Sequence, residues 1–387
     1  MRTSPTTFFS TAVSHSQDPR IAAQEIFEQL SSLECELEES IVLYFCGADF
    51  ALDQLSDALC ERMPHTIFAG ATTCGEIAEG KFLNQSTVAL ALANPARGAA
   101  RLVSDLGAFR FDDGPTLLQS LAADLGLDLH HLQRNQHRYL LLTLTDGLTA
   151  MEEVLMASML TSVPEMRLVG GGAGDGFRFK VTRVSVGNKV ARHAAAVILL
   201  EPNVPFHTFH LHHFHPTGQS FVVTEADPNR RFIHRIDGFP ATQFLADLLG
   251  RKLDDLLANS NSAAVFGVRS GDQMYLRTLM SAFPDKLLMG GGIEEGTIIH
   301  LMQPDHLVNR TRIGLEQELE QVVNPSVMLQ FSCGGRYIDA QSSGCLEELG
   351  RTLCPIPTIG FSTYGEQIGS MQVNHTLTGL ILGTPVD

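Results

Sequence analysis

Five of the chain's fifteen histidines fall within nine residues: His207, His210, His212, His213 and His215, in the segment Phe206-His-Thr-Phe-His-Leu-His-His-Phe-His-Pro216. Neutral imidazole is the commonest metal ligand among side chains. A multi-histidine zinc site would gather carboxylates or thiolates as well, and this segment has none. With strand alternation, one face carries Phe206, Thr208, His210, His212 and Phe214, and the other His207, Phe209, Leu211, His213 and His215. Imidazole beside aromatic and aliphatic side chains suits one axial bond to a haem iron against an apolar macrocycle. The plainer alternative is a partly exposed strand whose histidines do nothing. A second feature suits an anion. Arg178, Lys180, Arg183, Lys189 and Arg192 stand against one acid between Asp175 and His193, a local charge of +4 in a chain of −16. Haem propionates need such cations, although a charged hairpin edge explains them too.

The elements that position these residues are repeated. Four short apolar runs end in a glycine turn: Ile41 to Gly47, Leu140 to Gly147, Ala263 to Gly271 and Val327 to Gly334. They read as buried strands. A second glycine follows each, at Gly70, Gly170, Gly290 and Gly360. Helical stretches lie between at Asp49–Arg62, Thr149–Leu160 and Cys345–Thr352. Gly70-Ala-Thr-Thr-Cys-Gly-Glu76 and Gly360-Phe-Ser-Thr-Tyr-Gly-Glu366 share four of seven residues, and Leu168-Val-Gly-Gly-Gly172 matches Leu288-Met-Gly-Gly-Gly292. The expected fold is therefore α/β: two related lobes of repeated strand–helix–strand units with mixed sheets. The third unit has the shortest gap and the poorest pattern. Further strands are expected at Thr87–Ala93, Phe179–Val186, Val190–Leu200, Phe206–Phe214 and Thr376–Leu382. Gly187-Asn188 reads as a hairpin turn and Phe239–Gly250 as a helix. Asp227-Pro228-Asn229 suggests domains of 1–228 and 229–387.

The glycine loops lack the Gly-Lys-Ser/Thr ending of a P-loop and the spacing of a dinucleotide fingerprint, so they read as close packing at a seam. Glu76 and Glu366 occupy equivalent places and fit the capping of backbone amides. Cys74 has Tyr364 as its repeat partner, so that position does not demand a thiol. Cys354-Pro355 resembles a dipeptide of haem-responsive proteins and equally suits a loop. The remaining composition excludes whole classes. At 44% hydrophobic and 18% charged the chain is globular. Its acidity disfavours nucleic acid and anionic lipid, no apolar run approaches the ~20 residues of a membrane span, and the N-terminus lacks a signal core. Seven cysteines without a C-x-x-C pair imply a reduced, cytoplasmic protein. No H-E-x-x-H or similar motif marks an enzyme. A zinc or iron hydrolase at the histidines is the enzymatic alternative.

Val169-Gly-Gly-Gly-Ala-Gly-Asp175, the turn at Gly187-Asn188, His215-Pro-Thr-Gly218 with Val223-Thr224, and Ile236-Asp-Gly-Phe-Pro-Ala241 together resemble the FIST sensory domain, with both its N-terminal and C-terminal parts, over about Ile41 to Leu382. The resemblance implies a signal-input module for a small ligand. Many FIST domains place glycine, an aromatic residue and arginine before the Pro-x-Gly element. Here His213-Phe214-His215 stands instead, and in this the chain is similar to the nitric-oxide-sensing haem members of that family. That similarity implies a b-type haem (haem b) with histidine ligation, nitric oxide as the gas and a sensor histidine kinase regulated in trans, since no kinase segment is visible. His212 and His215 stand first as ligands to the iron, with His213 and His210 behind them, and Arg178 and Lys180 as propionate anchors. Homo-oligomer formation is left open. The rival expectation is a haem-free FIST domain holding a metabolite, such as an amino acid, on Glu76, Glu366 and Asp175.

Overall fold

The computed structural model describes residues 8–31, 37, 40–93 and 96–385. Cys35 and the first seven residues of the N-terminal stretch lie outside them. Three strand–helix–strand units share one plan. In the first, the central strand Ile41–Gly47 leads through helix Leu52–Arg62 to the parallel strand Ile67–Thr73. A hairpin, Glu76–Ala78 with Lys81–Leu83, follows. The chain then returns along Thr87–Leu92, which pairs antiparallel with both the central strand and the edge strand Phe9–Ser14. The second unit repeats this with Leu140–Asp146, helix Glu152–Leu160, Arg167–Ala173, the hairpin Val184–Val186 with Lys189–Ala191, the return Ala195–Glu201 and the edge Arg97–Val103. The third uses Pro325–Cys333, helices Gly334–Ser342 and Leu346–Thr352, Thr358–Thr363, the hairpin Glu366–Ile368 with Met371–Val373, the return Thr376–Gly383 and the edge Phe206–His212.

No unit completes its own sheet. The first unit's hairpin pairs with Thr358–Thr363 of the third, the second unit's with Ile67–Thr73 of the first, and the third unit's with Arg167–Ala173 of the second. The exchange closes a ring and covers the strand edge that each unit would otherwise expose. The recurrent glycines follow from it. Gly70, Gly170 and Gly360 sit at the same register, opposite Tyr44, Thr143 and Gln330. A Cβ on Gly70 would stand 2.4 Å from the Tyr44 ring, and one on Gly170 2.1 Å from the Thr143 carbonyl oxygen. The Tyr44 hydroxyl crosses that gap to Ser56, 2.5 Å, and Ser185, 2.6 Å. Inside the ring Phe45, Phe331 and Phe361 pack with centroids 4.6 to 6.3 Å apart, within a core to which all three units contribute.

The α/β class, the repeated units and the mixed sheets are as the sequence implies, but the third run, Ala263 to Gly271, departs from the pattern. Val265–Ser270 turns at Gly271 directly into Gln273–Phe283, antiparallel, with no helix between. Residues 214–304 form a second lobe, a seven-stranded sheet with antiparallel pairing throughout, covered by helices Ala241–Leu248 and Leu253–Ala258. Leu288–Gly292 is therefore not the structural counterpart of Leu168–Gly172. It lies at the seam between lobes, where a Cβ on Gly290 would meet Asn374 at 2.2 Å. The seam is held by charge: Arg231 reaches Glu152 at 2.6 Å, and Arg277 stands 3.6 Å from Glu153. Among the described residues no helix is long and apolar enough to cross a membrane.

Candidate functional site

A cleft of about 1010 Å³ opens between the two lobes. The antiparallel lobe contributes Phe214, Val265, Leu301 and Met302 to its wall. Helix Leu307–Leu319 contributes Leu307, Val308 and Arg312. The floor is polar. His213 occupies the joint between the third unit's edge strand and strand Phe214–Asp227, and only 2% of it is exposed. Its Nε2 faces Asp339 Oδ2 at 3.6 Å, and His375 Nε2 faces the same oxygen at 3.4 Å. The other nitrogens are also engaged: Arg336 stands 3.5 Å from His213 Nδ1, and the Thr278 hydroxyl 2.7 Å from His375 Nδ1. Gly335 makes room for this packing, since a Cβ there would meet the His375 ring at 2.6 Å. Thr278 belongs to the antiparallel lobe and Asp339 and His375 to the ring, so the array bridges the seam.

Burial sets the protonation states. It pushes His213 down to about 4, so that imidazole is neutral at pH 7. Burial also opposes ionisation of Asp339, but the two imidazoles outweigh it and hold the carboxyl well below the usual range. Arg336, fully buried behind the floor, is pushed down to about 10 by burial and donates to Thr311 Oγ1 at 2.7 Å. Asp339 thus serves both rings as a shared acceptor. Among the described residues no three histidine, cysteine or acidic side chains gather as a metal-ligating group.

The predicted histidines divide. Of the four candidates for the iron, His213 alone lines the cleft. His212 Nδ1 accepts from the Phe214 N–H at 3.3 Å, and burial lowers its pKa. His210 lies flat against Tyr275, with ring centroids 5.3 Å apart. Its Nε2 is buried without a partner among the described residues, and burial pushes it down to about 3. His215 is exposed, opposite Gln303. His207 pairs with Glu318 at 2.7 Å. Arg178 and Lys180 are not brought to these histidines: they line a separate cavity beside helix Leu52–Arg62. The cause is Asp175, which accepts from the N–H groups of Phe179, Lys180 and Val181 and from the Tyr364 hydroxyl, folding the segment into a loop. The strand expected from Phe179 accordingly begins only at Val184.

Glu76 and Glu366 are buried caps rather than cleft residues. Glu76 accepts from the Ser86 N–H at 3.1 Å and Glu366 from the Thr376 N–H at 3.2 Å, each with a threonine hydroxyl as a further donor. Burial raises both, Glu366 to about 8. Burial also pushes the Cys74 thiol up to about 11, which leaves it un-ionised at neutral pH. His306 and His375 line the cleft and were not singled out by the sequence. The offset that carries Glu76 to Glu366 also carries Gln85 to His375, and both have left-handed backbones, φ 54° and 53°. The repeat therefore contained the position, but not the reason for an imidazole there.

A deep cleft between two differently built lobes is the form of a ligand-binding domain. The chain belongs to the FIST family: the FIST N domain matches residues 40–238 and the FIST C domain residues 241–369. FIST domains are sensory modules, which places the chain in signal transduction. No curated protein matches it. Among solved structures it is similar to a cyanuric acid hydrolase from A. caulinodans, at 8% identity and TM-score 0.30 over 50% of this chain and 69% of that one. A cyanuric acid hydrolase described as an evolutionary innovation by structural concatenation aligns at 8% identity and TM-score 0.39 over 97% and 99%. At these scores neither likeness bears on activity.

Proposed function

We propose that the chain is a haem-based nitric oxide sensor, of the NosP kind within its family, that regulates a partner histidine kinase in trans. The observation that carries this reading is the cleft: an apolar wall, a nearby cation in Arg312 and an imidazole not tied to a carboxylate. That imidazole is His306, exposed at the start of helix Leu307–Leu319, whose ring has no partner among the described residues. His306 is the side chain best placed to hold the iron, Arg312 to hold a propionate, and Phe214, Val265, Leu301 and Met302 to cover the macrocycle. When bound, the haem supplies a ferrous iron that takes up nitric oxide. His213, His375, Asp339 and Thr278 tie one lobe to the other beneath it. Occupancy of the cleft is reported if the kinase binds the two states with different affinity.

Absorption spectra after haem reconstitution test this. The expected result is a stoichiometric Soret band in the wild type, lost in His306→Ala and kept in His212→Ala and His215→Ala. Loss in either of the latter two instead would return the ligand to the 207–215 segment. No band in the wild type overturns the haem reading. Kinase activity that is equal with and without nitric oxide overturns regulation by the gas.

A second reading is a haem-free domain for a small polar metabolite. It is favoured by the floor, where both imidazoles are engaged by one carboxylate and so form a hydrogen-bonding array rather than an iron ligand. Thermal stabilisation by an amino-acid panel, without a Soret band and abolished by Asp339→Ala, would establish it.

A further inference from the structure

The basic segment that the sequence set beside the histidines builds a cavity of its own. About 750 Å³ in volume, it lies in the first unit between the start of helix Leu52–Arg62 and residues 175–192 of the second. Its charges can be accounted for one by one. Asp175 is consumed by three N–H groups and the Tyr364 hydroxyl. Asp49 accepts from Arg178 at 2.6 Å and from Gln85 at 2.7 Å. Among the described residues, the side chains of Lys180, Arg183 and Arg192 have no ion-pair or hydrogen-bond partner, and Asp53 is the one remaining acid of the lining. The lining thus sets Arg178, Lys180, Arg183 and Arg192 against Asp49, Asp53 and Asp175, a net charge of +4 − 3 = +1 in a chain of −16.

The hairpin sharpens the point. Val184 pairs with Ala191 at the end of the ladder, and Arg183 and Arg192, the next residue on each side, both line the cavity. Two guanidinium groups lining one cavity favour an anion bound to both. Helix Leu52–Arg62 adds its N-terminal end to the same cavity, with Ala51 providing no side-chain cap. The place in the ring is also significant. Asp53 stands six residues after the end of its central strand, as Asp339 does, and Gln85 occupies the position of His375. The cavity thus lies at the first unit's counterpart of the place that Asp339 occupies in the cleft floor.

We propose that this cavity is a second ligand site, independent of the cleft, that takes a small organic phosphate with its phosphate group between Arg183 and Arg192. Planar guanidinium groups match phosphate oxygens bidentately. A volume many times the ~30 Å³ share of one water leaves room for an organic body along Phe50, Val181 and Val190.

Isothermal titration of the full chain with pyrophosphate at 150 mM salt, with citrate as the carboxylate probe, tests it. The expected result is one saturable pyrophosphate site. Its Kd should rise at least tenfold in Arg183→Ala and in Arg192→Ala, recover in part in Arg183→Lys, and stay unchanged in His213→Ala. Circular dichroism confirms that each variant is folded. Citrate binding without pyrophosphate binding overturns the phosphate assignment. Pyrophosphate binding that is indifferent to both arginines overturns the site, and so does no binding of either probe. Because the readout is phosphate binding and not a Soret band, failure of this proposal is separable from failure of the haem reading.

Discussion

Glu152→Ala is expected to lower folding stability by about 3 kcal/mol or more, seen as a shift of the urea midpoint. Glu152 is 0% exposed on helix Glu152–Leu160 and meets Arg231, itself largely buried, at 2.6 Å across the seam. Burial pushes the Glu152 carboxyl up and Arg231 pulls it back, so the pair survives because each charge has the other. Removing one partner of such a pair costs about 3–5 kcal/mol, mainly from the charge left behind. Here Arg231 retains only Glu153, at 3.7 Å, and Glu153 is already engaged by the Gly292 N–H at 3.0 Å. The low end of the range is therefore expected. The double variant Glu152→Leu with Arg231→Met should recover most of the loss, because an apolar pair of similar volume is often neutral or better. A single-variant loss below about 1 kcal/mol would mean that the Glu152–Arg231 pair contributes little to holding the lobes together.

That seam marks the limit of what the sequence disclosed. The central strands were legible because each is a short apolar run with a helix and a parallel partner behind it. The glycines were legible as close contacts, and Tyr44 against Gly70 supplies the cause. The exchange of hairpins was not legible. Glu76–Ala78, Val184–Val186 and Glu366–Ile368 are three residues each, and nothing local tells a strand so short which sheet it will join. The third apolar run misled for the same reason: Val265–Ser270 has the composition of a buried strand, but composition does not distinguish a parallel from an antiparallel partner. The histidine segment was legible as a strand with alternating faces. Its alternation ends at His213, where the chain leaves one sheet for another, and that break brings this imidazole to the cleft. Asp339 and His375 carried no local signal, because their meaning comes from a contact between distant segments.

His210→Phe is expected to stabilise the protein, and by more as the pH falls. In the native state burial pushes His210 down to about 3, with His212 and Arg277 adding to the depression. In the unfolded chain the imidazole titrates near 6.5. A depressed pKa means that the unfolded state binds the proton first. The stability tied to neutral His210 is then complete above pH 6.5 and is lost as the pH falls toward 3. At pH 4 the gap amounts to about 3 kcal/mol, at 1.36 kcal/mol per unit. Phenylalanine keeps a ring against Tyr275 and removes the buried, unpartnered Nε2, whose desolvation costs about 1–3 kcal/mol at any pH. The margin of the variant over wild type should therefore be about 1 kcal/mol at pH 7 and grow by about 3 kcal/mol at pH 4, measured by urea unfolding at both. A margin that does not change with pH would mean that His210 is solvated and protonates in the native state. A growing margin would fix His210 as a neutral imidazole clamped between the ring's edge strand and Tyr275 of the antiparallel lobe.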